Sequence, residues 1–378
     1  MKSVVIAGYV RSPFTPARRG KLARVRADEL AAQVIKGLVK KTGVKVEDIE
    51  DVILGCAFPE AEQGMNVARI VGFLGGLPLS VTGATINRFC GSSMQAIHMA
   101  AGAIQMGAGE VFLCGGVESM TRVPMPGFNM LPHPGLYESY PEVYISMGLA
   151  AEHLARHYQI SRDAQEEFAL SSHQKAVAWE KAGHFSNEIV VISHDSDSVE
   201  SDGCIRPDTS REALAHLELA FDKNGTVTAG TSAPLTDGAA AVLVCSEDYA
   251  KRKGLESLAR IKSIAVSGCA PEMMGIGPVE ATRKALKRAG LTLGDIDVIE
   301  LNEAFAVQVL ACVRELDIPL EKLNLHGGAL ALGHPLGASG ARIAGKAASL
   351  LKRQRGKYGL ATMCIGGGQG IATVLEAV

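Results

Sequence analysis

The sequence predicts an α/β protein made of two similar halves, each a strand–helix–strand–helix–strand (βαβαβ) unit, with a loop domain inserted between them. Three observations carry that expectation. Short apolar runs of strand character alternate with segments whose apolar residues recur at helical spacing, the pattern of sheets covered by helices. The chain has 378 residues, 47% of them hydrophobic, and 42 glycines, which suits more than one domain and many tight turns. Two pairs of segments also repeat in the same order along the chain, as a duplicated unit would.

The first strand is Ser3-Val4-Val5-Ile6-Ala7-Gly8. An amphipathic helix follows over residues 27–41, with Gly43 as its C-terminal stop. The next strand, within Asp48-Ile49-Glu50-Asp51-Val52-Ile53-Leu54-Gly55-Cys56-Ala57-Phe58, matches Asp295-Ile296-Asp297-Val298-Ile299-Glu300-Leu301-Asn302-Glu303-Ala304-Phe305 without a gap. The later copy also follows a helix, residues 278–289, stopped by Gly290. In the second pair, Cys90-Gly91-Ser92-Ser93 leads through a helix reaching about Gln105 to a strand at 110–114 and Gly115-Gly116. Its counterpart, Gly337-Ala338-Ser339-Gly340, leads through a helix at 341–351 to a strand at 358–364 and Gly366-Gly367-Gly368. Strands alternating with helices predict mostly parallel sheets, with ligands beyond the carboxyl ends of the strands. The small residues at the starts of the two later helices predict close packing in a buried central layer. Residues 120–217 differ, being rich in Pro, His, Met and charge, yet helical patterns return at 151–158 and 163–182. We expect a first domain at 1–250, including an inserted loop domain at about 120–240 that covers a site, and a second domain at 256–378.

The formal net charge is −2, which gives no overall attraction to nucleic acid. The eight cysteines (Cys56, Cys90, Cys114, Cys204, Cys245, Cys269, Cys312 and Cys364) form no CxxC pair and no zinc-spaced cluster. Free thiols in a reducing compartment are expected, and no metal site. The chain reads directly into a strand, and no apolar run approaches the roughly 20 residues of a membrane span. A soluble, cytoplasmic protein is expected.

Four segments have the residue types for chemistry. Cys90 stands where an apolar strand hands over to a helix, so the free N–H groups of the first turn lie behind it. Such a seat can lower a thiol pKa from about 8.5 to about 3.5–7.5. Asn302, at the end of a repeated strand, would orient a water, donate a hydrogen bond, or cap a helix. His334 lies in Gly333-His334-Pro335 within a glycine-dense run. It would act as an acid/base group or a turn residue, and the glycines would allow close approach of a ligand. Cys364 precedes Gly366-Gly367-Gly368-Gln369-Gly370, which lacks the phosphate-loop and dinucleotide patterns. Two cysteines, a histidine and an asparagine would meet where strand ends from both halves converge.

These segments resemble the thiolase family over essentially the whole chain. The resemblance rests on residues 87–97, Gly115-Gly116-Val117-Glu118-Ser119-Met120, and residues 225–241, 302–306, 327–342 and 364–370. The run Arg88-Phe89-Cys90-Gly91-Ser92-Ser93-Met94-Gln95 is most similar to the degradative 3-ketoacyl-CoA thiolases of fatty-acid oxidation. The resemblance implies a layered α-β-α-β-α core. It implies Cys90 as the acylated nucleophile, activated by His334, which with a water held by Asn302 would stabilise an enolate-like oxygen. Cys364 would be the second acid/base group, and the N–H groups of Cys90 and Gly366 a second oxyanion hole. Met147 and Phe305 match pocket-lining positions, and Arg206 is a candidate for a coenzyme A phosphate contact. The family often has serine where this chain has Ala233, which shifts the expected pantetheine contact to Ser232. His326 stands where an asparagine is usual; a neutral core or loop histidine is the favoured expectation there, the alternative being a histidine that alters the titration of His334 or Cys364. The resemblance further implies acyl-CoA and CoA as substrates and no metal or redox cofactor. It also implies a homodimer or homotetramer and a possible hydratase/dehydrogenase partner. The nearest rival is a synthetic acetoacetyl-CoA thiolase. A decarboxylating ketoacyl synthase would have a histidine in place of Cys364, and a non-catalytic acyl-CoA carrier would not need all four residues.

Overall fold

The computed structural model describes residues 2–378. The N-terminal half runs through β1 (Val4–Arg11), β2 (Thr15–Pro16), α1 (Ala27–Thr42), β3 (Asp51–Gly55), α2 (Val67–Leu74), β4 (Thr82–Ile86), α3 (Ser92–Met106) and β5 (Val111–Ser119). The middle of the chain holds α4 (Pro134–Ser139), α5 (Met147–His157), α6 (Arg162–Lys181), the hairpin β6 (Ile192–His194) and β7 (Asp197–Val199), and α7 (Arg211–Ala215). The chain then returns through β8 (Thr236–Ser246) and α8 (Glu247–Lys253). The C-terminal half comprises β9 (Ala259–Gly268), α9 (Gly277–Ala289), β10 (Val298–Leu301), α10 (Ala306–Leu316), α11 (Ala329–Leu332), α12 (Leu336–Gln354), β11 (Tyr358–Ile365) and β12 (Gln369–Glu376). Helices α1 and α9 both end at left-handed glycines, Gly43 at φ 68° and Gly290 at φ 69°, where a side chain would be strained.

The main sheet has the order β10-β11-β12-β9-β1-β8-β5-β3-β4, with β2 beside β8. The order is nearly a palindrome: β10, β11, β12 and β9 of one half mirror β3, β5, β8 and β1 of the other. The halves join through a short antiparallel contact, Val5 with Arg260 and Ile6 with Ala259. Only β3/β4, β3/β5 and β10/β11 are parallel. The mostly parallel sheet expected from the sequence is therefore a mixed one. The reason is the last strand of each half. The link from β11 to β12 is the turn 366–368, far shorter than the dozen or so residues of a parallel crossover, so β12 returns antiparallel. The link from β5 to β8 is the long middle segment, and β8 also returns antiparallel.

Side chains along β1 alternate between two cores. Val5 and Ala7 pack with α1 residues Leu30, Val34 and Leu38. Val4 and Ile6 pack with Met94 and Ile97 of α3, Ile343 and Ala344 of α12, and Ala361 and Met363 of β11. A third core joins Val279 and Ala285 of α9 to Ile299, Val309 and Leu360. Helices α3 and α12 thus lie between strands of both halves, with α1 and α9 outside, which gives the α-β-α-β-α layering. A Cβ at Gly340 of α12 would collide with the Met94 backbone nitrogen, so glycine there lets the two central helices touch. No described helix is long and apolar enough to cross a membrane.

Candidate active site

The Cys90 turn is set by its neighbours. Asn87 Oδ1 accepts the Phe89 N–H at 2.8 Å, and Ser92 Oγ accepts the Arg88 N–H at 2.9 Å while donating to the Phe89 carbonyl at 2.6 Å. These bonds hold Phe89 at a positive φ of 43°. Cys90 sits in the resulting single turn, with α3 beginning at Ser92. Its sulfur is served by its own N–H and by that of Gly366, from the turn after β11.

The expected depression of the Cys90 thiol is not what this seat produces. Burial pushes it up to about 11, and the two N–H groups recover only part of that shift. Taking the thiolate out of water outweighs the helix-start field. Cys364, at the end of β11, is also driven well above its ordinary value, first by burial and then by the nearby Cys90. Both thiols are neutral at rest.

His334 is held at three atoms. Its N–H donates to Thr236 Oγ1 at 3.0 Å, and its Nδ1 lies 2.6 Å from Ser339 Oγ. The Ser339 hydroxyl spends its proton on the Pro335 carbonyl at 2.9 Å. The network therefore assigns the imidazole proton to Nδ1. Nε2 then presents a lone pair, 3.3 Å from the Asn302 Nδ2 donor. Burial, reinforced by the Arg342 charge, lowers His334 to about 3, so the ring is neutral.

Asn302 is fully buried, and its Oδ1 has no partner among the described residues. It caps no helix. Helix α10 starts four residues later, at Ala306, with no side-chain cap. The Asn302 N–H instead donates to the Thr362 carbonyl at 3.1 Å, which extends the β10/β11 ladder by one residue.

Three supporting residues have weak sequence signals. Ser339 reads as one more small residue of a packed helix. Glu118 reads as the end of a strand, yet its buried carboxylate collects N–H groups from Ala57, Phe58 and Gly337 and the Gln63 amide. It ties the start of α12 to the end of β3. Glu303 likewise binds Ser172, Asn324 and the Leu330 N–H. An acidic residue within or just after an apolar strand was the available signal for both.

The expected ligand contacts fall into two places. Phe305 shares an apolar cluster with Cys364, and Met147 packs against it. Met147 Sδ lies 3.3 Å from where a Cβ on Gly366 would stand, so glycine keeps that turn close. Arg206 and Ser232 line a separate cavity of about 180 Å³ together with His173, Leu214 and Leu330. A bridge between Ser232 and Phe305 connects the two regions. Ser232 Oγ donates to the Thr228 carbonyl at 2.8 Å. His326 packs against α6. It stacks on Trp179 at 3.1 Å between ring centroids, and burial lowers it to about 3.

Comparison with known proteins agrees over the full length. The family "Thiolase, N-terminal domain" matches residues 4–248, and "Thiolase, C-terminal domain" matches residues 255–377. The chain is 50% identical over 386 residues to a 3-ketoacyl-CoA thiolase of Aliivibrio fischeri, covering all of both chains. It is also 50% identical over 389 residues to that of Aeromonas hydrophila, again covering all of both. The crystal structure of human mitochondrial 3-ketoacyl-CoA thiolase in complex with CoA is similar at a TM-score of 0.92 and 40% identity, with 100% of this chain and 98% of that one covered. The Bacillus anthracis acetyl-CoA acetyltransferase is similar at a TM-score of 0.91 and 40% identity, covering 100% and 99%. One family accounts for both halves and for the order of their strands, and the chain belongs to the thiolases.

Proposed function

We propose that the protein is an acyltransferase that cleaves 3-oxoacyl-CoA with CoA, giving acetyl-CoA and a shortened acyl-CoA through an acyl-cysteine on Cys90. The reading rests foremost on the His334 arrangement, a neutral imidazole with its Nδ1 proton tied to Ser339 and its Nε2 lone pair, which meets the Asn302 Nδ2 at 3.3 Å, serving as the base. Nε2 takes the Cys90 proton as the sulfur attacks the 3-keto carbon. The bond between the second and third acyl carbons breaks, and the electron pair leaves as the enolate of acetyl-CoA. Cys364 gives that carbanion its proton. Incoming CoA returns a proton to the Cys364 thiolate and attacks the acyl-cysteine. The departing Cys90 sulfur recovers its proton from His334. The covalent intermediate divides one hard step into two.

The oxyanion positions follow from the same atoms. The N–H groups of Cys90 and Gly366 serve one oxygen. The His334 Nε2 side and a water accepted by the unpartnered Asn302 Oδ1 serve the other. Each such donor is worth about 3–4 kcal/mol of barrier. Arg206 and Ser232 line the cavity assigned to the CoA handle, and Met147 and Phe305 the acyl end. The test is mass spectrometry after incubation with 3-oxoacyl-CoA, followed by thiolysis rates across chain lengths. An adduct on Cys90 with activity beyond four carbons is expected. Absence of the adduct overturns the reading.

A second reading, synthesis of acetoacetyl-CoA from two acetyl-CoA, is supported by the likeness to the Bacillus anthracis acetyl-CoA acetyltransferase at 40% identity. Activity confined to the four-carbon substrate would establish it. We further infer a homodimer or homotetramer working in the cytoplasm, with a hydratase/dehydrogenase partner. The open edge of β4 at the end of the sheet, with Met65, Phe73, Leu74 and Leu79 exposed nearby, supports self-association. Size-exclusion chromatography with light scattering tests it.

A further inference from the structure

Strand β10 and helix α12 face each other in rungs. Because the β10 ladder continues through Asn302, Glu300 and Asn302 lie on the same face of the extended chain. On α12, Ser339, Arg342 and Lys346 lie three and four residues apart, on one face of the helix. The first rung is Asn302, His334 and Ser339. The second is Glu300 and Arg342, whose Oε2 and Nη1 are 3.0 Å apart. Lys346 continues the row, 2.9 Å from Glu188.

The second rung is incompletely satisfied. Glu300 Oε1, Arg342 Nε and the Tyr9 hydroxyl are all buried without a partner among the described residues. A buried ion pair with unmatched atoms is a poor source of stability, and two apolar residues of similar size often serve better. The adjoining rung holds the proposed catalytic base, bonded to Ser339, and the Arg342 charge acts on that base.

We propose that Glu300 and Arg342 are positioning residues that set how readily His334 takes the Cys90 proton, the carboxylate cancelling the guanidinium charge beside the imidazole. With Glu300 ionised, an imidazolium at His334 faces a neutral pair. With Glu300 protonated, it faces an uncompensated cation, and proton transfer from Cys90 is opposed. The proton itself passes only from Cys90 Sγ to His334 Nε2.

The titration falls in a useful range. Burial raises the Glu300 carboxyl to about 7, against the pull of Arg342 and Lys346 from α12 and with the push of Glu303 and Glu188. Tyr9 of β1, itself driven well above its ordinary value by burial, feels Glu300, Glu188, Arg11 and Arg342. The carboxylate form grows as pH rises through 7, so acylation of Cys90 is expected to accelerate there.

This inference rests on the proposed role of His334, and the experiment separates the two. The acylation rate of Cys90 is followed from pH 6 to pH 8.5 by rapid quench and mass spectrometry. In the unmodified enzyme the rate should rise with a midpoint near pH 7. Glu300→Gln keeps the shape and the hydrogen bond to Arg342 but holds the pair cationic. It should remove that inflection, lower acylation at least tenfold at pH 8, and leave KM nearly unchanged. Adding Arg342→Met to Glu300→Gln removes the cation and should restore acylation toward the unmodified rate. Retention of the inflection in folded Glu300→Gln overturns the proposal, as does a double variant no faster than the single one. Unimpaired acylation in His334→Ala would instead overturn the assignment of the base.

Discussion

The two halves share a scaffold and divide the chemistry unequally. Helices α3 and α12 start at equivalent places, and the parallel pair β3/β5 has its counterpart in β10/β11. Yet the start of α3 carries Cys90, where α12 has Gly337. The end of β3 leads into a tight glycine contact at Gly55, where β10 leads into Asn302. Gly337 shows why the exchange is one-way. A Cβ there would stand 2.7 Å from the Val117 carbonyl and 2.8 Å from Cys56 Cα, so no nucleophile fits at the second helix start. In the proposed mechanism one half supplies the sulfur, and the other supplies the base, the amide and the second thiol.

That asymmetry can be broken in order of expected effect. Cys90→Ala should lower thiolysis on the order of 10⁴-fold or more and abolish the acyl adduct. Residual turnover at a few per cent would mean the N-terminal half does not hold the nucleophile. Cys364→Ala should leave acylation of Cys90 measurable but slow complete turnover by about 10²–10⁴-fold, as loss of a proton carrier does. Comparing burst amplitude with steady-state rate checks this, and an undiminished steady state would return both proton roles to His334. Ser339→Ala removes the Nδ1 anchor of His334. About tenfold should be lost, the worth of one neutral hydrogen bond, in kcat more than in KM. Alkylation of Cys90 by iodoacetamide sharpens the electrostatic side. Its pKa is raised to about 11, so the thiolate fraction climbs about tenfold per pH unit below that value. Rates should keep rising from pH 7 to pH 9, whereas a plateau below pH 8 would mean a thiolate at rest. Gly337→Ala should destabilise the fold by about 1–3 kcal/mol through overpacking, read as a lower melting temperature. Gly91→Ala, whose Cβ would meet the flexible tip of Ile365, should cost less.

Much of this was legible in the residues. The gapless match of 48–58 with 295–305 corresponds to β3 and β10, at mirrored places in the sheet, and the glycine stops at Gly43 and Gly290 are real caps. The helix at 163–182 is observed as Arg162–Lys181. Asn302 was harder. An asparagine after a strand reads more readily as a cap, and only the β10/β11 ladder running one residue further excludes that. The mixed sheet was missed because strand direction depends on what each connection crosses, and composition does not record it. Ser339, Glu118 and Glu300 were missed as site residues because each looks ordinary in its own segment. Their partners lie 5 to 219 positions away.

Local chain chemistry alone determined the duplicated α/β plan, the helix stops, the strand-to-helix seat of Cys90 and the residue types of a thiol-based acyl transfer. Those depend on spacing and backbone preference, which short segments carry in full. The protonation states were decided only in three dimensions. Cys90 is a neutral thiol and His334 a neutral imidazole because both are buried, and burial is a property of the packed layers rather than of any segment. The same packing brings a carboxylate and a guanidinium behind the imidazole, joining residues whose charges act through space rather than along the chain.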